Sequence, residues 1–416
     1  MEHLNRLVAK TRPFSRLQEY NPEHTQYQIQ LLHVVEGLSQ SDIQKFGTEL
    51  AEYLGISPDD TIRYRYSPEG AGGNVVVRHA TPVFVAHARV KSAEMVISEF
   101  EELLTGAAEE VTQVAAFWGL HPEEPFEIWD RITLGPLSAL PPSLPRDLFL
   151  QIGERLDGVV ETNPMMANVR PRAALWCSDL FGPLVTIGGF SDAEQGTLRY
   201  QEMSDIVSCL ALLADRALAI IASWSQSDVT RFLVGGVGSW GSQATAWENL
   251  FEIERHPVDQ ELARTVVSNF FKLSDGDRQR MRAILGRLNS AKASHRSQED
   301  RAIDLGIALE ALLFNPNDTP SEISFKFRVR GSVLASNDPV KRKQAFEILN
   351  RIYSLRSKAA HGVTFRGDRR NRRSPGYALL DEDLELAETL IRRVLEIGHI
   401  PQDWNGHILG WSELPS

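Results

Sequence analysis

The hydrophobic positions in the C-terminal part of the chain recur every three to four residues, a spacing that predicts amphipathic helices. The stretches with this spacing are 259–273, 275–288, 297–314, one that begins at Asp338 and one over 381–397. Ser274, Ser297 and Asp338 stand where an N-cap side chain accepts a backbone N–H group, which supports these starting points. We therefore predict an all-α helical bundle over residues 259–400 and a C-terminal tail over 401–416.

The first 230 residues mix this helical spacing with the two-residue alternation of strands. Helices are predicted over 27–38, 41–54, 100–117, 146–156 and 202–221, a small sheet within 61–99, and short strands that pair with each other within 172–190. A Pro-rich passage from Pro122 to Pro145 predicts a linker or a surface loop. The expected fold class is thus α+β, with an N-terminal mixed α/β region of unknown fold. That region could be one domain or two subdomains.

A glycine-rich stretch over 231–258 separates the two regions. Within it, Gly236 to Gly241 spells G-x-G-x-x-G, the spacing with which dinucleotide-binding proteins approach a pyrophosphate. A predicted helix precedes this motif instead of a strand, and no strand carrying a ribose-binding acid follows it. A hinge between domains is therefore the favoured interpretation, and a nucleotide-cofactor enzyme is a weak third one.

Composition is that of a globular protein, with 42% hydrophobic and 24% charged residues in a chain of 416. No apolar run approaches the roughly 18 residues that span a bilayer, and the N-terminus lacks a signal peptide. Cys177 and Cys209 are far apart and form no CxxC motif, so neither a disulfide framework nor a cysteine-based zinc site is expected. These features predict a cytoplasmic protein that does not associate with a membrane and that binds neither a metal nor a cofactor.

Charge is distributed unevenly along the chain. The formal net charge is −11, but Ser321 to Arg373 contains 14 Lys and Arg against 4 Asp and Glu, a local +10, which leaves −11 − 10 = −21 for the remainder. A basic segment in an acidic protein indicates a site for a polyanion such as RNA. The alternative is a solvated basic face.

The basic segment contains an arginine and a histidine that together could cleave a phosphodiester without a metal. Residues 351–362 read RIYSLRSKAAHG and hold Arg356 and His361. A guanidinium binds phosphate oxygens through a planar fork, and an imidazole exchanges protons near neutral pH. Five helical steps of about 100° leave the two side chains roughly 140° apart, so they do not lie side by side on an ideal helix.

On the predicted helix over 297–314, Glu310 lies three residues after Ile307 and four before Phe314. It therefore lies on the same helical stripe as these two apolar residues. A carboxylate that faces a core needs a cation or hydrogen-bond donors. Arg356 is the expected partner of Glu310. The pair could serve catalysis, hold the bundle together, or do both.

The segment 351–362, with Arg356 and His361, resembles the R-x4-6-H signature of HEPN domains. The surrounding blocks RAIDLGIALEALLFNPN, EISFKFRVRGSVLAS and DPVKRKQAFEILN are similar to the Apea-like branch of that family, over roughly residues 297–398. The resemblance implies a metal-independent endoribonuclease that acts as a toxin or antiphage effector, with its motif in a cleft between two copies of a homodimer. It implies Arg356 and His361 as catalytic, with Ser357 in support. Glu310, as the expected partner of Arg356, completes the predicted catalytic set. Ser357 departs from the Asn, Asp or His often found there.

Further basic residues are candidates for contacts with the RNA backbone. The stretch from Phe365 to Pro375 is too charged to pack in a core, and we expect a mobile loop beside the site. The predicted RNA-binding residues are Lys358, Arg366, Arg369, Arg370, Arg372 and Arg373. The N-terminal region is expected to sense a trigger, phage-derived or other, or to restrain the site. The alternative function is a HEPN-like module that binds RNA or protein without cleavage.

Overall fold

The computed structural model describes two regular regions, one mixed and one helical, which confirms an α+β chain with a mostly helical C-terminal part. The residues it describes are 2–10, 38–65, 72–77, 80–88, 92–104, 109–141, 146, 150, 172–181, 185–187, 199–226, 241–242, 258–293, 296–315, 318, 321–362 and 378–409.

Within the mixed region, the described residues of the first unit form four helices and a small antiparallel sheet. Its elements are α1 (Glu2–Lys10), α2 (Gln40–Leu54), β1 (Thr61–Arg65), β2 (Gly72–Val76), α3 (Thr81–Ala88), α4 (Ala93–Leu104) and β7 (Val185–Ile187), with strand order β2-β1-β7. Phe84 and Phe100 meet edge to face at its centre, with ring centroids 4.9 Å apart. Helix α2 ends at Gly55, whose φ of 68° closes the helix in the left-handed conformation that glycine adopts without strain.

A six-stranded antiparallel sheet forms the second unit, together with one helix. Its elements are β3 (Glu109–Trp118), β4 (Phe126–Trp129), β5 (Ile132–Pro136), β6 (Ala173–Phe181), α5 (Tyr200–Leu210), β8 (Ala219–Gln226) and β9 (Gly241–Ser242), with strand order β4-β5-β6-β3-β8-β9. Alternate residues of β3 enter different clusters: Ala115 and Phe117 face the helices, whereas Val114 and Ala116 face the other side. The central strand is therefore buried on both faces.

The regular elements described in the C-terminal region are all helices. Its elements are α6 (Gln260–Lys272), α7 (Asp275–Lys292), α8 (Gln298–Leu313), α9 (Ile323–Ala335), α10 (Pro339–Ala360), α11 (Asp381–Ile397) and α12 (Trp404–Leu409). The predicted helices of this region are confirmed, including the N-caps Ser274, Ser297 and Asp338. Helix α12 lies within the predicted tail.

The sheet and the C-terminal helices share one continuous apolar core. Leu134 and Leu175 of the sheet belong to the same buried cluster as Leu309 of α8 and Ile391 of α11. A two-residue turn, Asp130-Arg131, with both residues at positive φ, joins β4 and β5. Next to it, the ring of Trp129 stacks on that of Phe271 of α6, with centroids 4.7 Å apart. The helices that carry the candidate site thus share their apolar core with the sheet.

Several predictions for the N-terminal region were wrong. Residues 100–117, predicted as one helix, contain the end of α4 and most of β3, and residues 202–221 contain α5 and the start of β8. Because β3 and β8 pack against buried clusters on both faces, apolar residues occupy successive positions, such as Val114 to Trp118, and do not show the alternation of a half-buried strand. A continuous apolar run cannot be distinguished from a buried helix by periodicity alone.

The passage from Pro122 to Pro145, predicted as a linker or surface loop, also proved wrong, since it contains the hairpin of β4 and β5. Residues 61–99 contain the predicted strands β1 and β2, but also α3 and part of α4, which were not predicted. Strands within 172–190 are present, yet β6 pairs with β3 and β5, whereas β7 pairs with β1. The helices predicted over 27–38 and 146–156 fall almost entirely outside the described residues.

Of the glycine-rich stretch over 231–258, the structure describes Gly241, Ser242 and Val258. Gly241 lies in β9 and pairs with Ser223 of β8, so the sheet extends past residue 230 into the predicted hinge. The remaining positions of the G-x-G-x-x-G motif lie outside the described residues.

Candidate functional site

Helix α10 carries the arginine and the histidine, and both of its ends are specified by local sequence. The carboxylate of Asp338 accepts the backbone N–H groups of Val340 and Lys341, and Pro339 occupies the first helical position, where no N–H is needed. The helix ends at Ala360 because His361 caps it and Gly362 follows at φ +74°.

Arg356 and Glu310 form an ion pair between α10 and α8. The Nη2 group of Arg356 donates to Oε2 of Glu310 at 2.9 Å. About a third of the arginine side chain and a quarter of the glutamate side chain remain exposed, so the pair lies at the rim of the helical region. The predicted pairing of these two residues is confirmed.

Burial and charge act in opposite directions on the Glu310 carboxyl. Desolvation raises its pKa, and the positive charge and hydrogen bond of Arg356 partly offset that rise. The net result is a pKa above the ordinary value for a glutamate. Arg356 thus favours the ionised form of Glu310, against the effect of burial.

His361 is exposed at the C-terminal end of α10. Its backbone N–H donates to the carbonyl of Ser357 at 3.1 Å, whereas the described residues include no hydrogen bond from its imidazole to Arg356 or Glu310. The structure therefore brings two of the four predicted catalytic residues together and leaves His361 facing solvent. A ligand, or a second copy of the chain, would be needed to join them.

Two further predicted site residues lie between Arg356 and His361 in the sequence, and the other predicted RNA-binding residues follow His361. Ser357 and Lys358 are half-buried on α10. The remaining predicted RNA-binding residues, namely Arg366, Arg369, Arg370, Arg372 and Arg373, lie outside the described residues.

Other basic residues of the segment hold the helices together, and sequence analysis did not identify these roles. Arg351 donates to Asp383 of α11 at 2.5 Å, and the Asp383 side chain is fully buried. Arg330 holds Asp318 at 2.6 Å and lies 5.1 Å from the centroid of the Phe314 ring. Part of the local positive charge is therefore already neutralised within the fold.

Some side chains near the motif have structural roles. Tyr353 packs against the core, with its ring centroid 5.5 Å from that of Phe327. Over the part of the chain that the structure describes, no group of three side chains could hold a metal ion, and no helix is long and apolar enough to cross a membrane.

Comparison of the chain with family models, with curated proteins and with solved structures found no match. The resemblance to HEPN domains remains a prediction, based on the residues of the motif and its flanking helices.

Proposed function

We propose that this protein is a metal-independent endoribonuclease of the HEPN type, acting as a toxin or antiphage effector. The observation that carries the proposal is the Arg356–Glu310 pair, partly exposed at the rim, with His361 exposed at the C-cap of the helix that carries Arg356. This arrangement offers a fixed cation and a titratable base to a ligand that approaches the end of α10. RNA offers both groups that they require, a phosphate and a 2′-hydroxyl.

The proposed reaction is attack of a ribose 2′-oxygen on the adjacent phosphorus. His361 takes the proton from the 2′-hydroxyl or returns one to the leaving 5′-oxygen, so general acid–base catalysis needs no metal. Formation of the O2′–P bond and cleavage of the P–O5′ bond give a 2′,3′-cyclic phosphate and a 5′-hydroxyl. Arg356 holds the nonbridging oxygens as negative charge develops on them.

Glu310 has a supporting role in this proposal. The hydrogen bond between Arg356 and Glu310 uses one of the five N–H donors of the guanidinium, so the remaining donors can bind a phosphate. The carboxylate orients Arg356 before RNA binds. Ser357 and Lys358 lie on the same turn of α10 and are proposed to face the RNA.

The shared cleft of a homodimer is a second part of the proposal. On α10, Arg356 turns toward α8 while His361 is exposed, and the imidazole has no bond to the ion pair among the described side chains. A two-fold axis beside the end of α10 would place two arginines and two histidines in one basic groove. In that groove, the histidine of one copy would complete the site of the other.

A binding module without catalysis is the second candidate function, and the separation of His361 from the ion pair is the observation that favours it. Such a module would hold RNA through the guanidinium and the basic residues and leave its phosphodiesters intact.

The two functions differ in a cleavage assay on the purified full-length chain with RNA and excess EDTA. We expect cleavage by the wild type, loss in Arg356→Ala and His361→Ala, and unchanged activity in Lys343→Ala, which removes an exposed charge from the other end of α10. Thermal melts show whether each variant is folded. Cleavage that requires Mg²⁺ contradicts the proposal, and RNA binding without cleavage supports the module.

A further inference from the structure

Gly306 of α8 faces the aliphatic stem of Arg356 at a distance that leaves no room for a side chain. A Cβ atom at position 306 would lie 2.4 Å from Cγ and 2.8 Å from Cβ of Arg356. Carbon atoms in contact are about 3.5–4.0 Å apart, so even one methyl group would overlap the arginine. The absence of a side chain at 306 creates a notch in α8 through which the arginine passes.

The notch lies one helical turn from the carboxylate that receives the guanidinium. Residues four apart on a helix share a face, so Gly306 and Glu310 lie one above the other on α8. The stem of Arg356 crosses α8 at Gly306, and its Nη2 group then reaches Glu310 at 2.9 Å. One face of α8 therefore provides both the passage and the anchor for this side chain.

Backbone conformation does not explain the glycine. Gly306 lies in the interior of α8 and is buried, and its φ is not positive. In a helix interior glycine is less favourable than alanine because it loses more backbone freedom on folding. Its presence is therefore best explained by the close approach of Arg356.

We infer that Gly306 is a positioning residue for Arg356. Because position 306 has no side chain, the stem of Arg356 crosses α8 there, and this crossing point fixes where the guanidinium contacts Glu310 and faces the ligand. This inference deepens the proposed function and rests on it only where RNA cleavage is concerned. In Gly306→Ala, the overlap with Cγ forces a different side-chain rotamer on Arg356. The overlap with Cβ cannot be relieved by a rotamer change and moves α10 away from α8.

Two other helical glycines provide matched controls. Gly331 of α9 is as crowded, since a Cβ atom there would lie 2.6 Å from Cδ1 of Leu349, but it faces an apolar side chain of α10 and not the arginine. Gly286 of α7 has no atom within 4 Å of the position of such a Cβ atom. Gly331→Ala thus reproduces the crowding between helices, and Gly286→Ala reproduces the change in helix propensity.

The test is a pH titration of the Glu310 carboxyl by NMR in the full-length chain, with the signal assigned by its loss in Glu310→Gln. We expect the pKa of Glu310 to rise in Gly306→Ala, because the carboxylate loses the cation that offsets its burial. In Gly331→Ala and Gly286→Ala it should titrate as in the wild type. A folded Gly306→Ala protein in which Glu310 titrates as in the wild type would overturn the inference.

A double variant keeps the test decisive if Gly306→Ala is unstable. When Arg356 is truncated to alanine, the Cγ overlap at position 306 disappears. The loss of melting temperature in Gly306→Ala/Arg356→Ala should therefore be clearly smaller than the sum of the two single losses. Additive losses would show that the two residues do not share this space.

RNA cleavage then separates this inference from the proposed function. If the protein cleaves RNA through Arg356, Gly306→Ala should lower the cleavage rate by roughly 10²-fold, as a misplacement of about 1 Å can do. Gly331→Ala and Gly286→Ala should retain the wild-type rate once corrected for the folded fraction. A raised Glu310 pKa in Gly306→Ala, together with unaltered cleavage in Arg356→Ala, would support the positioning role and refute the proposed function. Full cleavage by a Gly306→Ala protein, when Arg356→Ala is inactive, would overturn the positioning role.

Discussion

At the scale of single residues, the candidate site depends on a carboxylate in a position that water only partly reaches. Burial favours the neutral form of Glu310, and Arg356 favours the ionised one. The pairing of the two could be predicted from the sequence, because a glutamate on an apolar stripe requires a cation and the motif helix supplies one. The pairing of Arg351 with Asp383 could not, since it depends on where α11 packs.

The raised pKa of Glu310 has a consequence for stability. A carboxyl whose pKa is higher in the folded than in the unfolded state binds more protons when folded, so its contribution to stability is fully present below the unfolded pKa. That contribution is lost as pH rises through the folded pKa. We therefore expect the free energy of unfolding of the wild type, measured relative to Glu310→Gln, to fall between about pH 4 and neutral pH. A difference that stays constant or grows with pH would contradict this assignment.

The Arg351–Asp383 pair allows a second prediction at this scale. Removing one partner of a buried ion pair leaves the other charge uncompensated, so Arg351→Ala should lower the free energy of unfolding by about 3–5 kcal/mol. Arg393→Ala is the control, because its pair with Glu396 is more than half exposed and should change stability by less than about 1 kcal/mol. Chemical denaturation measures both. Equal effects of the two substitutions would show that Asp383 does not depend on Arg351.

At the scale of elements, the predictions succeeded where one face of an element is apolar and failed where both faces are buried. Helices α6, α7, α8, α10 and α11 were predicted from their inward apolar positions, and N-caps such as Asp338 and Ser297 indicated starting points. Strand β3 packs on both sides, so its sequence VTQVAAFW lacks the alternation that identifies a half-buried strand. The alternation in Phe126 to Trp129, buried at the first and third positions, could have revealed β4 within the Pro-rich passage.

The basic stretch from Phe365 to Pro375, which lies outside the described residues, leads to a prediction about RNA affinity. Each phosphate contact made by an arginine releases condensed counterions, which steepens the salt dependence of binding. Neutralising Arg369, Arg370, Arg372 and Arg373 together should weaken RNA binding and flatten the slope of log affinity against log salt by up to about 0.7 for each lost contact with single-stranded RNA. A slope equal to that of the wild type would identify the stretch as solvated surface.

At the scale of the whole molecule, the helical region is not independent of the sheet. One apolar cluster runs from the sheet into the helices, and Lys292 of α7 is buried with its Nζ group donating to the carbonyl of Ala211 at 2.6 Å. Arg282 of α7 and Asp205 of α5 add a contact at 2.7 Å. Helices α7 and α8 therefore pack on the same core as the six-stranded sheet. No sequence pattern indicated this packing, because periodicity does not show which elements pack together.

The proposed shared cleft predicts a dependence of activity on concentration. If His361 of one copy completes the site around Arg356 of the other, dissociation separates the two groups and stops cleavage. We expect the protein to sediment as a dimer at micromolar concentration and to lose specific activity on dilution. Mixing inactive Arg356→Ala with inactive His361→Ala should restore part of the activity, since a mixed dimer contains one intact pair. A monomer that keeps full specific activity on dilution would exclude the shared cleft.

The most direct test of the central claim is the chemical identity of the RNA ends produced in the presence of EDTA. Attack by the 2′-oxygen leaves a 2′,3′-cyclic phosphate and a 5′-hydroxyl, so both ends should form with the wild type and be absent with Arg356→Ala and His361→Ala. Mass spectrometry of a short defined RNA distinguishes these ends from a 3′-hydroxyl and a 5′-phosphate. Products with a 3′-hydroxyl, or intact RNA after incubation with the folded wild type, would contradict cleavage by Arg356 and His361.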